Sequence, residues 1–427
     1  MRVTITPGAA RGTVRVPTSK SIAHRALLAA ALANGTSTLA GVTPSQDIDA
    51  TCRATAALGA AVNALPGGQL QVTGTGALTA PTGPVDCGES GSTLRFVLPL
   101  FALTGSETTL TGHGRLPRRP QGVYQDLFAA NGLPFETGPT GVRFRGPLPA
   151  GQYRIPGWVS SQFITGLLFA LPLASGDSVL QIEPPLESRP YLDLTLDVLH
   201  RFGIKADWQG PLALAIPGGQ QYRPVPGFTV EADWSQAAFF AVLGALAGSV
   251  CCTGLATNSL QGDRVIADFL SQMGAAATAQ SAGTLCWQKT ALAPLQADLA
   301  DCPDLGPILM AACCFAAGTS RITGAGRLRL KESDRITAMQ TELAKLGLTV
   351  QCEGDTLIIP GNANGHCTAP GVPLQCWGDH RIAMALAVAA TRADGPVTLL
   401  GAEAVEKSYP HFFVDLQQTG VKVEMEQ

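Results

Sequence analysis

Six stretches of the chain repeat one pattern: an Ala/Leu-rich run of helical length, a glycine, then strand-like residues. They are ALLAAALANGTSTLAGV, FVLPLFALTGSETTLTG, LLFALPLASGDSVLQI, FFAVLGALAGSVCCTGL, LMAACCFAAGTSRITGAG and AMALAVAATRADGPVTLLGA. Their breaking glycines are Gly35, Gly105, Gly176, Gly248, Gly318 and Gly395, spaced 70, 71, 72, 70 and 77 residues apart. A second series of more amphipathic pattern, such as IDATCRATAALG, LTLDVLHRFG and ITAMQTELAKLG, breaks at Gly59, Gly132, Gly203, Gly274, Gly347 and Gly420. Each of these follows its partner by 24 to 29 residues and leads into strand-like residues again.

Self-similarity at a fixed period is the mark of structural duplication, and here it predicts six copies of a roughly 70-residue unit with two helices and several strands. The first helix of each copy is apolar almost all round and should be buried, whereas the second should show one face to water. Glycine in both series is expected to supply a left-handed helix cap. Three copies make a domain of about 210 residues, so the chain divides into two. The Pro/Gly-rich segment at residues 216–228 lies near the midpoint, where an interdomain crossover belongs.

Composition narrows the class. Of the 427 residues 46% are hydrophobic and 14% charged, with net charge −3. That excludes a disordered chain and argues against non-specific nucleic-acid binding, which needs a basic excess. The opening MRVTITPGAARG lacks the apolar run of a secretory leader, and the longest apolar runs, about a dozen residues, are too short to span a bilayer. A soluble, cytoplasmic protein is the expectation. The 11 cysteines include the adjacent pairs Cys251-Cys252 and Cys313-Cys314 but no C-x-x-C, which argues against zinc and for buried thiols of a reduced compartment.

The chemistry lies ahead of the apolar helices. Their approaches read PTSKSIAHR, CGESGSTLR, PGWVSSQFITG, EADWSQAAF, DCPDLGPILM and WGDHRIAM. Helix N-termini carry unpaired N–H groups and partial positive charge, and so favour anions. Ordinary capping accounts for Asp233 and Asp304. It does not account for Lys20 and Arg25, Arg95 or Arg381, since cations oppose the dipole there. Further basic clusters occur in GRLPRRP (Arg115, Arg118, Arg119) and GRLRLKESDR (Arg327, Arg329, Lys331, Arg335), and Lys407 borders another apolar run. Arginine forks returning from several repeats suit a pocket for phosphate or carboxylate. No Walker A sequence, dinucleotide fingerprint or nucleophile elbow is present, and the histidines lack metal-ligand spacing. A cofactor-free, metal-free site for a small polyanion is expected.

Taken in order, PTSKSIAHRALLAAAL, GESGSTLRF, GRLPRRP, VSSQF, ESRPYLDLTLDVL, LKESDR, GDHRIAMALAVA and EKSYPHFF resemble the 5-enolpyruvylshikimate-3-phosphate synthase family of enolpyruvyl transferases over essentially the whole chain. The resemblance implies an α/β (α+β) fold of two domains, each of three βαβαββ units in an inverted-barrel-like arrangement. Residues 17–230 would form one domain and 1–16 with 231–427 the other, with the active site in the cleft between them. The implied reaction moves the enolpyruvyl group of phosphoenolpyruvate to the 5-hydroxyl of shikimate 3-phosphate with release of phosphate. It serves aromatic amino-acid biosynthesis and needs neither nucleic acid nor membrane; a monomer is expected.

Carried over residue by residue, Lys20, Ser21, Arg25, Ser160, Ser161, Gln162, Ser188 and Lys331 would hold shikimate 3-phosphate. Lys20, Gly91, Arg115, Gln162, Arg335, Arg381 and Lys407 would hold phosphoenolpyruvate. Asp304, also a ligand of shikimate 3-phosphate, would take the hydroxyl proton, Glu332 would give one to the methylene carbon, and Lys20 would be the third catalytic residue. Plainer readings exist beside these: a cap for Asp304, an i,i+3 partner of Arg335 for Glu332, and a turn residue for Ser188. Two departures stand out. Thr18 occupies a position that is usually glycine in the family, which should shift the loop slightly. Glu89-Ser90 stands where many members have Asn-Ala, while Gly91 is kept and would leave room for the donor and for its competitor glyphosate. The alternatives are the related transferase acting on UDP-N-acetylglucosamine, whose loop cysteine is missing from GHGRLPRRP, and a non-catalytic anion- or RNA-phosphate-binding protein on the same repeat.

Overall fold

The computed structural model describes residues 1–426. The chain falls into two compact units, Thr18–Glu231 and Met1–Pro17 joined with the chain from Ala232 onward. In the central unit the helices are α1 (Lys20–Leu32), α2 (Gln46–Ala57), α3 (Gly91–Leu103), α4 (Gly122–Ala130), α5 (Ser161–Ala170) and α6 (Arg189–Arg201). The terminal unit carries α7 (Trp234–Ala247), α8 (Ile266–Gln272), α9 (Gly306–Cys313), α10 (Arg335–Lys345), α11 (His380–Ala390) and α12 (Phe412–Gln418).

Odd and even helices differ as their patterns demand. All of α7 is buried, as is α1 from Ile22 to Leu32, because neither has a polar face to offer water. In α6 the buried positions Leu192, Leu194–Leu196, Val198 and Leu199 leave Asp193, Asp197 and Arg201 on the outer face. Each unit buries its own apolar cluster, around α1, α3 and α5 in one and α7, α9 and α11 in the other.

The repeat is βαβαββ. In its second copy Val85–Asp86 pairs in parallel with Glu107–Thr111 across α3, and Gly141–Arg145 then pairs antiparallel with both Glu107–Thr111 and Phe135–Gly138. A buried helix makes the crossover that a parallel pair requires. Six four-stranded sheets repeat this order among the described residues. Three borrow distant chain: Phe228–Thr229 joins Asn34–Ala40, Ala10–Arg15 joins Gly248–Thr253, and Arg2–Thr6 sits between Val397–Leu400 and Lys422–Glu426.

Three expectations change. The glycines of the second series all have positive φ, between 67° and 102°, and end their helices as left-handed caps. Those of the first series divide: Gly105 is left-handed at 72°, but Gly248 is extended at 172° and opens strand Gly248–Thr253, where a Cβ would lie 1.8 Å from the Ala10 carbonyl. Close backbone approach, not capping, demands glycine there. Second, residues 216–228 are no crossover. Tyr222 donates to the Phe169 carbonyl (2.8 Å) and Ser37 accepts from the Val225 amide (2.9 Å), so the segment packs within the central unit and the chain leaves it at Glu231. Third, not all cysteines are thiols. Cys251 and Cys286 face each other across antiparallel strands and form a disulfide, and the other nine are free. A pair 35 residues apart gives no sequence signal, because strand register brings it together. Among the described residues no helix is long and apolar enough to cross a membrane, and no His/Cys/Asp/Glu group suits a metal.

Candidate active site

In the terminal unit the turn before α9, the loop before α10 and the first turn of α11 bring their charged residues together. Asp304 accepts from Arg335 Nη1 at 3.0 Å, Arg381 Nη2 at 2.9 Å and Lys331 Nζ at 3.4 Å. Arg335 also donates to Glu332 Oε2 at 2.7 Å and through Nε to Asp379 Oδ2 at 2.9 Å. Asp379 caps α11 by accepting the Arg381 amide (2.9 Å) and takes a bond from Ser333 (3.0 Å). Lys407 reaches the Gly378 carbonyl at 2.7 Å.

Burial alone would raise the Asp304 pKa; Arg381, Lys331 and Arg335 outweigh it and hold the carboxyl well below the usual range. Burial works against the Arg335 cation, but Asp379, Glu332 and Asp304 more than restore it. Lys331 is lowered, chiefly by burial. A buried guanidinium is thus shared among three carboxylates, beside two more cations, in one charge-paired cluster whose donors are of the kind that bind carboxylate or phosphate. Asp304 is therefore not the helix cap that ordinary capping suggests: Leu305 occupies that position for α9.

In the central unit most of the other candidates stand at the N-terminal ends of the buried helices α1, α3 and α5. Lys20 opens α1 and pairs with Asp47 of α2 at 2.6 Å. Gln162, in the first turn of α5, donates to Ser92 Oγ (3.0 Å) and accepts from Arg95 Nη1 (2.8 Å), both of α3. Ser160 caps α5, and Ser161 is its first residue. Gly91 opens α3, and a Cβ there would stand 2.4 Å from Arg119 Nη1. The space over this glycine is thus met by a guanidinium. Arg115 is exposed, its amide bonded to Glu89 Oε1 at 3.1 Å. Ser188 precedes α6 in the left-handed region, at φ 59°.

Arg25 differs from its neighbours. It is 3% exposed, donating to Thr195 Oγ1 (2.8 Å), the Ser21 carbonyl (2.8 Å) and the Tyr191 carbonyl (3.0 Å), and burial lowers its pKa to about 10. Its contacts tie α1 to α6, and any substrate oxygen has to compete with them. The structure thus groups Lys331, Glu332, Arg335, Arg381, Lys407 and Asp304 in one unit. Lys20, Ser21, Arg25, Gly91, Arg115, Ser160, Ser161, Gln162 and Ser188 lie in the other. Asp47, Ser92 and Asp379 organise these groups, and the sequence carries no signal for them beyond the place of Asp379 in the motif GDHR. A cavity of about 570 Å³ in the central unit, lined by Leu103, Leu148, Leu173 and Gln221 among others, holds none of the candidates.

Two units of three βαβαββ repeats with cationic helix N-termini define the fold of the enolpyruvyl transferases. The enolpyruvyl transferase NikO from Streptomyces tendae has it at a TM-score of 0.78 and 18% identity, covering 99% of this chain and 98% of its own, which shows the fold alone. EPSP synthase from Acinetobacter baumannii matches over 100% of both chains with a TM-score of 0.81 and 28% identity. The 3-phosphoshikimate 1-carboxyvinyltransferase of Clostridium kluyveri is 42% identical over 424 residues, covering 99% of this chain and 98% of the relative. That of Clostridium acetobutylicum is 39% identical over 424 residues, covering 98% and 97%. The family model for EPSP synthase (3-phosphoshikimate 1-carboxyvinyltransferase) matches residues 5–416, and the chain belongs to that family.

Proposed function

We propose that the protein is a 3-phosphoshikimate 1-carboxyvinyltransferase, making the enolpyruvyl ether of shikimate 3-phosphate and inorganic phosphate. The observation that carries the reading is the cluster of Asp304, Glu332, Lys331, Arg335 and Arg381 in a chain belonging to this family over nearly its whole length. Pure anion binding explains the cations but not two carboxylates set among them.

In this reading Lys20, Ser21, Arg25, Ser160, Ser161, Gln162, Ser188 and Lys331 hold shikimate 3-phosphate. Lys20, Gly91, Arg115, Gln162, Arg335, Arg381 and Lys407 hold phosphoenolpyruvate. Both substrates are polyanions, so their charge must be neutralised before the reacting carbons approach. The 5-hydroxyl oxygen bonds to C2 of phosphoenolpyruvate, its proton passes to Asp304, and Glu332 protonates the methylene carbon. In elimination the methyl carbon returns a proton, the C2–O bond to phosphate breaks, and the double bond re-forms. Arriving anions draw Arg335 and Arg381 away from Asp304, whose pKa then rises towards that of a useful base. No cofactor enters these steps. The enzyme works as a soluble monomer in the cytoplasm.

Phosphate release from phosphoenolpyruvate tests the reading. Turnover that needs shikimate 3-phosphate and is not supported by UDP-N-acetylglucosamine is the expected result. Release with UDP-N-acetylglucosamine instead, or with neither acceptor from folded protein, sinks it.

A further inference from the structure

Only two non-glycine residues among those described have positive φ: Ser188, already a substrate-binding candidate, and Trp377, at 55°. Trp377 and Gly378 (φ 61°) are the central residues of a turn closed by the Asp379 amide on the Cys376 carbonyl at 2.9 Å. Two left-handed residues in succession make a type I′ turn, whose first position favours asparagine or glycine. A bulky tryptophan there is strained, and such strain persists only where surrounding contacts over-determine it.

The contact that does so is specific. The indole Nε1 donates to Glu342 Oε1 at 2.9 Å. Glu342 is 1% exposed, and its Oε2 accepts the Gln375 amide at 2.9 Å and Lys345 Nζ at 2.7 Å. One buried carboxylate on α10 thus grips the strand before the turn and the turn's own side chain. Immediately beyond, the Gly378 carbonyl holds Lys407, and Asp379 holds both Arg335 and the start of α11, which carries Arg381. All three of the terminal unit's phosphoenolpyruvate-binding candidates are indexed to residues 378 and 379. Arg335 begins the helix from which Glu342 reaches back, so the arrangement closes on itself.

We infer that Trp377, clamped by Glu342, is a positioning residue that sets Lys407, Arg335 and Arg381 for phosphoenolpyruvate; this rests on the functional reading above. It touches no substrate and acts through the turn. The exposed side of the indole, 40% of the residue's surface, leaves room to alter it without opening the core.

The test is steady-state kinetics and thermal melting of Trp377→Phe, which keeps the ring but removes the donor, and of Trp377→Gly, which also relieves the left-handed strain. Both are expected to raise KM for phosphoenolpyruvate about tenfold while KM for shikimate 3-phosphate and kcat stay within about twofold. Tm should fall by no more than a few degrees for Trp377→Phe, the cost of leaving Glu342 Oε1 without that donor. An active wild type with an unchanged phosphoenolpyruvate KM in both variants overturns the inference alone. So does a loss of Tm with both KM values and kcat moving together, which marks a merely structural residue. A wild type that releases no phosphate with shikimate 3-phosphate overturns the functional reading and takes this inference with it.

Discussion

Asp304 is held ionised by Arg381, Lys331 and Arg335 against the effect of burial, so in the free protein it is a weak base well placed. Asp304→Asn keeps the shape and removes the proton acceptor. It is expected to lower kcat by about 10²–10⁴-fold, the usual worth of a general base, without raising KM for phosphoenolpyruvate, since its cations are released to the substrate. A variant that keeps kcat but loses phosphoenolpyruvate affinity would make Asp304 a scaffold for the arginines and nothing more. The neighbouring Asp263 titrates the other way: burial, then the charge of Asp304, raise it to about 6, although Arg381 and a bond from Ser235 pull it down. A carboxyl with a raised folded pKa is protonated in the fold while already ionised in the unfolded chain. Stability therefore falls as pH rises from the unfolded value towards 6, and the loss is complete above it. Asp263→Asn should be neutral near pH 4 and stabilising by roughly 2–3 kcal/mol at pH 7.5, the worth of a two-unit shift. Urea unfolding at both pH values measures it, and equal effects at the two would disprove the linkage.

Helices were the most legible elements, because burial on all sides and burial on one side leave different sequence patterns. The six-fold alternation of α1 to α12 follows from that difference alone. What sequence left hidden are contacts set by register and by loops: the Cys251–Cys286 pairing, Asp47 beneath Lys20, and Glu342 behind Trp377. None of these has a local signature, since each joins residues that are neighbours only after folding. Thr18 shows the same limit. Against the family's usual glycine it reads as a small disturbance of the loop before α1. In the structure its hydroxyl bonds to the Gly41 carbonyl and lies 2.9 Å from Thr43 Oγ1, which ties that loop to the one leading into α2. The tie brings the approach of Lys20 and the approach of its partner Asp47 into register. The Thr18 hydroxyl oxygen also accepts the Thr43 amide at 3.2 Å, so Thr18→Gly loses three hydrogen bonds and adds backbone freedom, and should destabilise the protein by about 1–3 kcal/mol. Thr18→Ser should restore most of it. A glycine variant as stable as the wild type by urea titration would show that the hydroxyl contributes nothing.

The chain enters the terminal unit, leaves it at Pro17 and returns at Ala232, and the consequence for assembly is asymmetric. The central unit is one continuous segment whose six helices and three sheets are complete within it. The terminal unit is not complete without its first residues. Strand Arg2–Thr6 stands inside a sheet, between Val397–Leu400 and Lys422–Glu426, and Ala10–Arg15 closes another beside Gly248–Thr253. Val3, Ile5, Val14 and Val16 are buried in that unit's core. At about 1.5–3 kcal/mol for each fully buried side chain, losing these four removes roughly 6–12 kcal/mol, as much as an ordinary domain's whole stability. It also strands Lys422–Glu426 without a partner. The fragment Thr18–Glu231 is therefore expected to fold alone with one cooperative urea transition, and a fragment from Ala232 onward to remain unfolded until a peptide of residues 1–17 is added. Circular dichroism and urea titration of the two fragments decide it. A terminal fragment that folds without the peptide would mean that the amino-terminal strands are dispensable to the core, and the domain would then be the contiguous segment rather than the discontinuous one.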